Sequence, residues 1–207
     1  MLKVGLTGGV ACGKSTILAM FERRGAFTIR ADEIAHELMR PGQPVFDKVV
    51  AAFGKEILDE DGTISRPRLA ELAFGHERIA ELNAIVHPEV VRYQEEWLEH
   101  VRWREQHAIA IVEAALMIEA NAHKNLDKLI VVTCNDADRI RRFQRRTGLD
   151  EAAARIELER RMKNQMPESE KAKLANYVID NSGDFEFAES QVGPIWGSLR
   201  KDEAKNV

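Results

Sequence analysis

The residues with the clearest chemical pattern are Gly8–Ser15, which read G-G-V-A-C-G-K-S. The spacing G-x-x-x-x-G-K-S is that of a phosphate-binding loop, or P-loop, between a strand and a helix. In such a loop the backbone N–H groups and the helix dipole attract phosphates, Lys14 adds a cation, and the Ser15 hydroxyl can ligate Mg²⁺. An apolar run, 2–7, precedes the motif, and helical spacing over 16–24 follows it. The pattern predicts a nucleotide-binding loop.

Two acidic residues follow predicted strands. Asp32 comes just after the run 26–30, and Glu113 ends the apolar run 108–112. Because open α/β sheets bind ligands at the carboxyl ends of their strands, we expect both acids on the same edge as Lys14. Asp32 is either a catalytic group or the N-cap of the next helix. Glu113 either helps to hold Mg²⁺ or acts as a cap or ion-pair partner.

The composition limits the classes of protein to which this chain can belong. The 207 residues are 44% apolar and 31% charged with a net charge of −4, which gives no overall electrostatic case for nucleic acid. No apolar run approaches the roughly 20 residues of a membrane span, and no signal peptide is visible. Two cysteines, Cys12 and Cys134, make no disulfide framework. We therefore expect a cytoplasmic protein with no membrane or nucleic-acid partner, with a monomer favoured.

The order of the predicted elements defines the fold class. Five short strands alternate with helices, which predicts an α/β fold, a parallel sheet with helices on both faces. One helix is predicted to open at Pro88 and to run to about residue 106, and Gly193-Pro194 is predicted to bend or split the last helix. The tail 201–207 is expected to fray. About 75 mostly helical residues separate Asp32 from Ala108, far more than a simple crossover needs, and we expect them to wall a second-substrate pocket.

With these motifs in place, the chain resembles the dephospho-coenzyme A kinase family over most of its length. The similar segments are 6–16, Ala31-Asp32-Glu33-Ile34-Ala35, Pro41-Gly42, Phe53-Gly54, Asp61-Gly62, His87-Pro88, 113–119, Arg142, 146–149, 165–167 and 173–181. The P-loop alone indicates only a nucleotide, whereas the joint pattern is far more specific. The resemblance implies a P-loop NTPase-like, five-stranded parallel sheet in a single kinase unit. Its core would cover about 1–40, 107–147 and 174–207, with a helical substrate-binding insertion at about 41–106 and a helical lid at about 148–173.

The activity implied by this resemblance is transfer of the ATP γ-phosphoryl group to the ribose 3′-hydroxyl of dephospho-CoA, with Mg²⁺. Asp32 would be the catalytic base and Lys14 a second catalytic residue, while Ser15 would hold the metal, with Glu113 as a further candidate ligand. The lid arginines would be Arg155 and Arg161, which compete for one position. The ATP-binding residues implied are Gly8, Gly9, Ala11, Cys12, Gly13, Lys14, Ser15, Thr16, Arg142 and Arg146.

Several residues depart from the family pattern and bear on metal placement and on the lid. They are Cys12, Arg30, Glu113, Ala115, Arg139 and Asn176. Cys12 lies within the anion-binding turn, so we expect a reactive thiolate there. Arg139 and Arg145 lie on other helix faces than Arg146, so we expect replacing them to have little effect.

Other interpretations remain open. The chain could phosphorylate another small metabolite, such as a nucleoside monophosphate, shikimate or gluconate. It could also be a P-loop switch ATPase that signals by binding. The arginines of the lid could form a solvated basic face paired with Glu151, Glu157 and Glu159.

Overall fold

The structure, a computed structural model, describes residues 1–75 and 78–205. The chain divides into two compact units, one of Met1–Ile29 with His100–Val207 and one of Arg30–Glu99. The boundaries expected for the core, the insertion and the lid stay predictions.

The first unit is built on the predicted sheet. Its strands are β1 (Leu2–Gly8), β2 (Phe27–Arg30), β3 (Ile109–Glu113), β4 (Lys128–Thr133) and β5 (Tyr177–Asp180), in the order β2-β3-β1-β4-β5. β1 pairs in parallel with β3 and β4, and β4 with β5. The register places Leu6 beside Glu113 and Gly8 beside Val132. The α/β fold with a five-stranded parallel sheet is thus confirmed.

The helices in the described residues, numbered along the chain, are α1 (Lys14–Glu22), α2 (Ala31–Leu38), α3 (Pro44–Phe53), α4 (Arg66–Gly75), α5 (Ile79–Arg104), α6 (Asp136–Thr147), α7 (Glu151–Met162), α8 (Glu168–Leu174) and α9 (Phe185–Lys205). None of them combines the length and apolar character needed to cross a bilayer. α6 and α7 begin at side-chain caps, because Asn135 accepts from the Asp138 N–H and Asp150 from the Ala153 N–H.

The core of the first unit lies against β1. Leu2, Val4 and Leu6 alternate along that strand, so their side chains point to one face of the sheet. They pack with buried residues of α1, α9 and the neighbouring strands. The carboxyl end of β1, where the P-loop begins, is therefore anchored in the most deeply buried part of the unit.

The second unit is helical. α3 buries Val45, Val49 and Phe53. The Arg78 guanidinium lies 4.3 Å from the centre of the Phe53 ring and donates to the Ala52 carbonyl at 2.8 Å. This contact fixes the segment just before α5 to the end of α3.

Three helix predictions were wrong in detail. Pro88 lies inside α5 instead of opening it, and α9 continues through Pro194 to Lys205 instead of splitting there or fraying from residue 201. The predicted bend at Gly193-Pro194 stays a prediction, and residues 206–207 of the predicted tail lie outside the described residues. A proline removes one backbone hydrogen bond, and these helices of 26 and 21 residues retain the bonds of the turns on either side. The short helix α8 was not predicted as a separate helix within the helical lid at about 148–173, and it brings Glu168 to the P-loop.

Candidate active site

The P-loop spans the turn between β1 and α1 as predicted. Lys14 is the first residue of α1, and its Nζ donates to the carbonyls of Gly8 at 3.2 Å and Gly9 at 3.1 Å. Ser15 and Thr16 follow on the exposed first turn of the helix. The first N–H groups of a helix have no partner within the helix, so this turn can bind an anion.

The shape of the loop depends on glycine at position 13. Gly13 has φ 82°, in the left-handed region, and a Cβ there would overlap the Asn181 amide. That amide donates to the Cys12 carbonyl at 2.7 Å, and Arg142 donates to the same oxygen at 3.4 Å and to the Asn181 carbonyl at 2.7 Å. A side chain at position 13 would displace the group that holds this peptide.

Two anchored carbonyls orient the N–H groups of the loop. Arg139 donates to the Val10 carbonyl at 2.9 Å, as Asn181 does to that of Cys12. In a trans peptide the carbonyl of one residue and the N–H of the next point in opposite directions. The N–H groups of Ala11 and Gly13 therefore point away from these anchors. Ala11, at φ 59°, is held in a strained conformation while it packs against the apolar cluster of α6 and α7.

Arg139 overturns one expectation drawn from the sequence. It is 4% exposed, and besides Val10 it contacts the Cys134 carbonyl at 3.2 Å and Glu168 at 2.8 Å. Glu168 begins α8 and lies so close to Gly9 that a Cβ on that glycine would overlap its carboxylate. Arg139 therefore ties α6, the P-loop and α8 together, and these contacts argue against the expectation that replacing it has little effect.

Cys12 overturns a second expectation. Its side chain is fully buried, and its thiol donates to Glu168 at 2.8 Å and accepts from Cys134 at 3.1 Å. The hydrogen bond with Cys134, burial and the nearby Glu168 carboxylate together raise the pKa of Cys12. The expected reactive thiolate is therefore wrong, because the hydrogen bond with Cys134, the burial of the sulfur and the Glu168 carboxylate all favour the protonated thiol.

The two acids take different positions. Glu113 ends β3, is 8% exposed and lies beside Leu6 in the sheet register, at the carboxyl end where the P-loop of β1 also begins. Asp32 belongs to the second unit and lies, exposed, in the first turn of α2, whose N-cap is Arg30. The N-cap alternative for Asp32 is therefore wrong, and its catalytic role stays a prediction.

The lid arginines separate into two kinds of environment. Arg146 and Arg161 lie on the Phe143 ring, 5.2 Å and 5.4 Å from its centre. Burial, with the positive charge of Arg161, lowers the pKa of Arg146. Arg155 is instead an exposed partner of Glu151 at 2.7 Å. Arg161 also forms an ion pair, with Glu157 at 2.7 Å, so both arginines that competed for one lid position have acidic partners on α7, and only Arg161 lies beside Arg146.

The sequence analysis assigned no role to several residues that the structure places around the loop. Asn181 was recognisable as a polar residue just after β5, at the edge where ligands bind. Glu168 and Lys171 were not recognisable. Lys171 is fully buried, where its Nζ contacts Glu119 at 2.9 Å and the Ala115 carbonyl at 3.0 Å. This pair ties α8 to the segment after β3.

The residues near the loop suit a hard cation bound together with phosphates. Ser15 offers an exposed hydroxyl and Glu113 a carboxylate, and oxygen donors of this kind are those that Mg²⁺ prefers. Within residues 1–75 and 78–205, no group of three or more His, Cys, Asp or Glu side chains is arranged as a metal cage. A Mg²⁺ ion here would share its shell with phosphate oxygens.

Comparison with known proteins extends over nearly the whole chain. The Dephospho-CoA kinase of Aquifex aeolicus (strain VF5) is 40% identical over 204 residues, which are 98% of this chain and 100% of that protein. The Dephospho-CoA kinase of Geobacter metallireducens is 41% identical over 197 residues, 95% of this chain and 96% of that protein.

Solved structures agree in fold. TT1252 from Thermus thermophilus superposes with a TM-score of 0.78 at 29% identity, over 96% of this chain and 97% of that one. The dephospho-CoA kinase from Campylobacter jejuni gives 0.68 at 25% identity over the same shares. Shikimate kinase from Bacteroides thetaiotaomicron superposes with a TM-score of 0.52 at 15% identity, over 96% of this chain and 98% of that one, and this likeness shows the fold alone. The family profile described as Dephospho-CoA kinase matches residues 2–186, and the chain therefore belongs to the dephospho-CoA kinase family.

Proposed function

We propose that this protein catalyses the phosphorylation of dephospho-CoA by ATP, which gives coenzyme A and ADP. The ribose 3′-hydroxyl attacks the γ-phosphorus, the bond from that phosphorus to the bridging oxygen breaks, and the hydroxyl loses its proton. The observation that carries the proposal is a P-loop whose Val10 and Cys12 carbonyls are anchored by other elements, in a chain of this family. The loop would bind the triphosphate, and family membership specifies the acceptor.

The chemistry requires positioning and neutralisation of charge, because phosphoryl transfer passes through a loose transition state. Lys14 would exchange its two carbonyl contacts for phosphate oxygens. The N–H groups of Ala11 and Gly13 would bind further oxygens. Ser15, with Glu113, would hold Mg²⁺, which neutralises charge on the phosphates when bound. These assignments rest on residue type and on position at the carboxyl ends of β1 and β3.

Asp32 would act as the base. Its carboxylate would orient the attacking hydroxyl and accept its proton late in the reaction, a role that general-base residues fill with a gain of about 10²–10⁴ in rate. Support for this role comes from the segment Ala31–Ala35, which is similar to the family's motif, and from the exposure of the side chain.

The arginines would close the site. Arg142 is already held against the loop by the Cys12 and Asn181 carbonyls. Arg146 and Arg161 lie around one aromatic ring, and Arg161 would exchange its contact with Glu157 for a phosphate oxygen. Closure over the phosphates would exclude water and limit ATP hydrolysis.

An acceptor panel tests the proposal. ATP consumption is followed with dephospho-CoA, a nucleoside monophosphate, shikimate or gluconate as the added acceptor. We expect ADP to form in proportion to added dephospho-CoA only. Consumption with another acceptor would indicate a kinase of another metabolite, and consumption independent of any acceptor would indicate a switch ATPase.

Lys14→Ala is the matched variant for that assay. Lys14 is partly exposed, and its loss should leave the fold intact, which circular dichroism checks. We expect turnover to disappear because a cation is missing from the phosphate site. Turnover close to that of the wild type would show that the P-loop does not carry the reaction.

We further propose a monomer that works in the cytoplasm. The two cysteines are free thiols, which suits a reducing compartment. Sedimentation velocity and cell fractionation test these two points, and a dimer or a secreted protein would contradict them.

A further inference from the structure

Two thiols meet beside the P-loop. Cys12 lies in the loop and Cys134 directly follows β4, 122 residues later in the chain. Their Sγ atoms are 3.1 Å apart, and both are free. Cys12 is fully buried, whereas Cys134 is 9% exposed. Neither sulfur has a role in the phosphoryl transfer derived above.

The two Sγ atoms are close enough to form a disulfide after a small movement. A disulfide has an S–S length of about 2.05 Å, so the sulfurs need to approach by only about 1 Å. Cys134 follows a strand that lies inside the sheet between β1 and β5. Cys12 belongs to a loop. The loop residue therefore makes most of the movement.

The surroundings give the two sulfurs different chemistry. Its hydrogen bond with Cys12, assisted by the positive charge of Arg139, lowers the pKa of Cys134. The pKa of Cys12 is raised by its hydrogen bond with Cys134 and by burial. Cys134 is thus the better nucleophile and the more exposed sulfur, and Cys12 is the protonated partner next to it.

We propose that Cys12 and Cys134 form a reversible disulfide when the protein meets a hydroperoxide, and that this bond switches off ATP-dependent turnover. The Cys134 thiolate attacks a peroxide oxygen, which breaks the O–O bond and leaves a sulfenic acid and hydroxide. The Cys12 sulfur then displaces the sulfenic oxygen. In sum, two thiols and one hydrogen peroxide give one disulfide and two waters. A dithiol reverses the bond by two exchange steps.

The effect on turnover follows from the contacts of Cys12. In the disulfide its sulfur no longer donates to Glu168, and its backbone is pulled toward the end of β4. Its carbonyl is the anchor shared by Asn181 and Arg142, so the peptide that orients the Gly13 N–H moves with it. A misplacement of about 1 Å at a reacting site can cost about 100-fold in rate. We expect a loss of at least about ten-fold.

The experiment uses the full-length protein, reduced and then freed of reductant. Hydrogen peroxide is added in small molar excess, and samples are taken for peptide mass spectrometry without reduction and for turnover with ATP and dephospho-CoA. We expect a peptide pair joined through Cys12 and Cys134 that accumulates as turnover falls, and we expect dithiothreitol to restore both. Loss of turnover without this cross-link, a cross-link with full turnover, or a loss that dithiothreitol does not reverse would each overturn the proposal.

Cys134→Ser is the matched control. Cys134 has no part in the proposed phosphoryl transfer, and serine keeps its size, so basal turnover should remain near that of the wild type. Under the same peroxide treatment this variant should keep its turnover, and inactivation at the rate of the wild type would overturn the proposal. Cys134→Ala, checked by circular dichroism, serves if the serine variant does not fold, and the cross-link in the wild-type chain is measured independently of either variant.

Discussion

Arg139 offers the sharpest test of how the P-loop is held. In the wild-type protein the Arg139 guanidinium contacts the Val10 and Cys134 carbonyls and the Glu168 carboxylate. The substitution Arg139→Met removes this group and keeps most of the buried volume. Removing one partner of a buried ion pair costs about 3–5 kcal/mol. Glu168 keeps its bond from Cys12 and its side chain is 19% exposed, so the lower end, about 3 kcal/mol, applies. For a chain of this size we expect the melting temperature to fall by about 6–12 °C.

The same variant should also impair catalysis, because the Val10 carbonyl loses its anchor. We expect kcat/KM for ATP to fall by at least about ten-fold. Arg145→Met, at an exposed position of α6, is the control and should change neither quantity. The double variant Arg139→Met/Glu168→Gln should recover much of the stability, since no unpaired carboxylate is left, while kcat/KM stays low. Differential scanning fluorimetry and steady-state kinetics measure the two effects. A melting temperature within 2 °C of the wild type (roughly 1 kcal/mol or less), together with an unchanged kcat/KM, would refute the reasoning.

Three further predictions concern other parts of the site. Asp32→Asn should keep ATP binding, measured by calorimetry, and lower kcat by about 100-fold or more, so normal turnover would show that Asp32 is not the base. Arg146→Ala should slow phosphoryl transfer while Arg145→Ala does not, and equal rates would remove Arg146 from the mechanism. The hydrogen bond from Arg160 lowers the pKa of Glu157 from 4.5 to about 2. The stabilisation of α7 by the ionised Glu157 carboxylate should therefore be complete above pH 4.5 and lost as the pH falls through about 2. An NMR titration of the Glu157 carboxyl with a midpoint near 4.5 would contradict this.

The sheet could be predicted from the sequence because its signals are local. The apolar runs at 2–7 and 108–112 predict β1 and β3, and the structure places these strands at Leu2–Gly8 and Ile109–Glu113. Strands buried on both faces leave continuous apolar runs, which end where a glycine or a polar residue begins the next turn. The P-loop could be predicted for the same reason, since all of its groups lie within eight residues.

The prolines show where local rules failed. Pro88 and Pro194 each read as a helix start or break, yet each lies within a long helix. The rule for proline counts one lost hydrogen bond and one clash, about 3 kcal/mol. It takes no account of the packing of the turns on either side, which the tertiary structure supplies.

The contacts that hold the P-loop in place could not be predicted, because they join residues that are distant in the chain. Arg139 contacts a carbonyl 129 residues away, and Cys12 contacts Glu168 across 156 residues. From the sequence, Arg139 was one arginine among several on a charged helix. Whether an arginine is solvated or buried depends on which elements surround it, and α8, which carries the partner Glu168, was itself not predicted.

The position of β1 in the sheet bears on the order in which the chain can fold. This strand ends in the P-loop and is synthesised before both of its partners, residues 109–113 and 128–132. Chains grow at about 5–20 residues per second, so the strand waits on the order of 6–25 seconds for its second neighbour to be made. Until then β1 lacks one of the two strands between which it lies. The loop that handles the phosphates is thus synthesised well before the strands that flank β1, and its complete support exists only after both have been made.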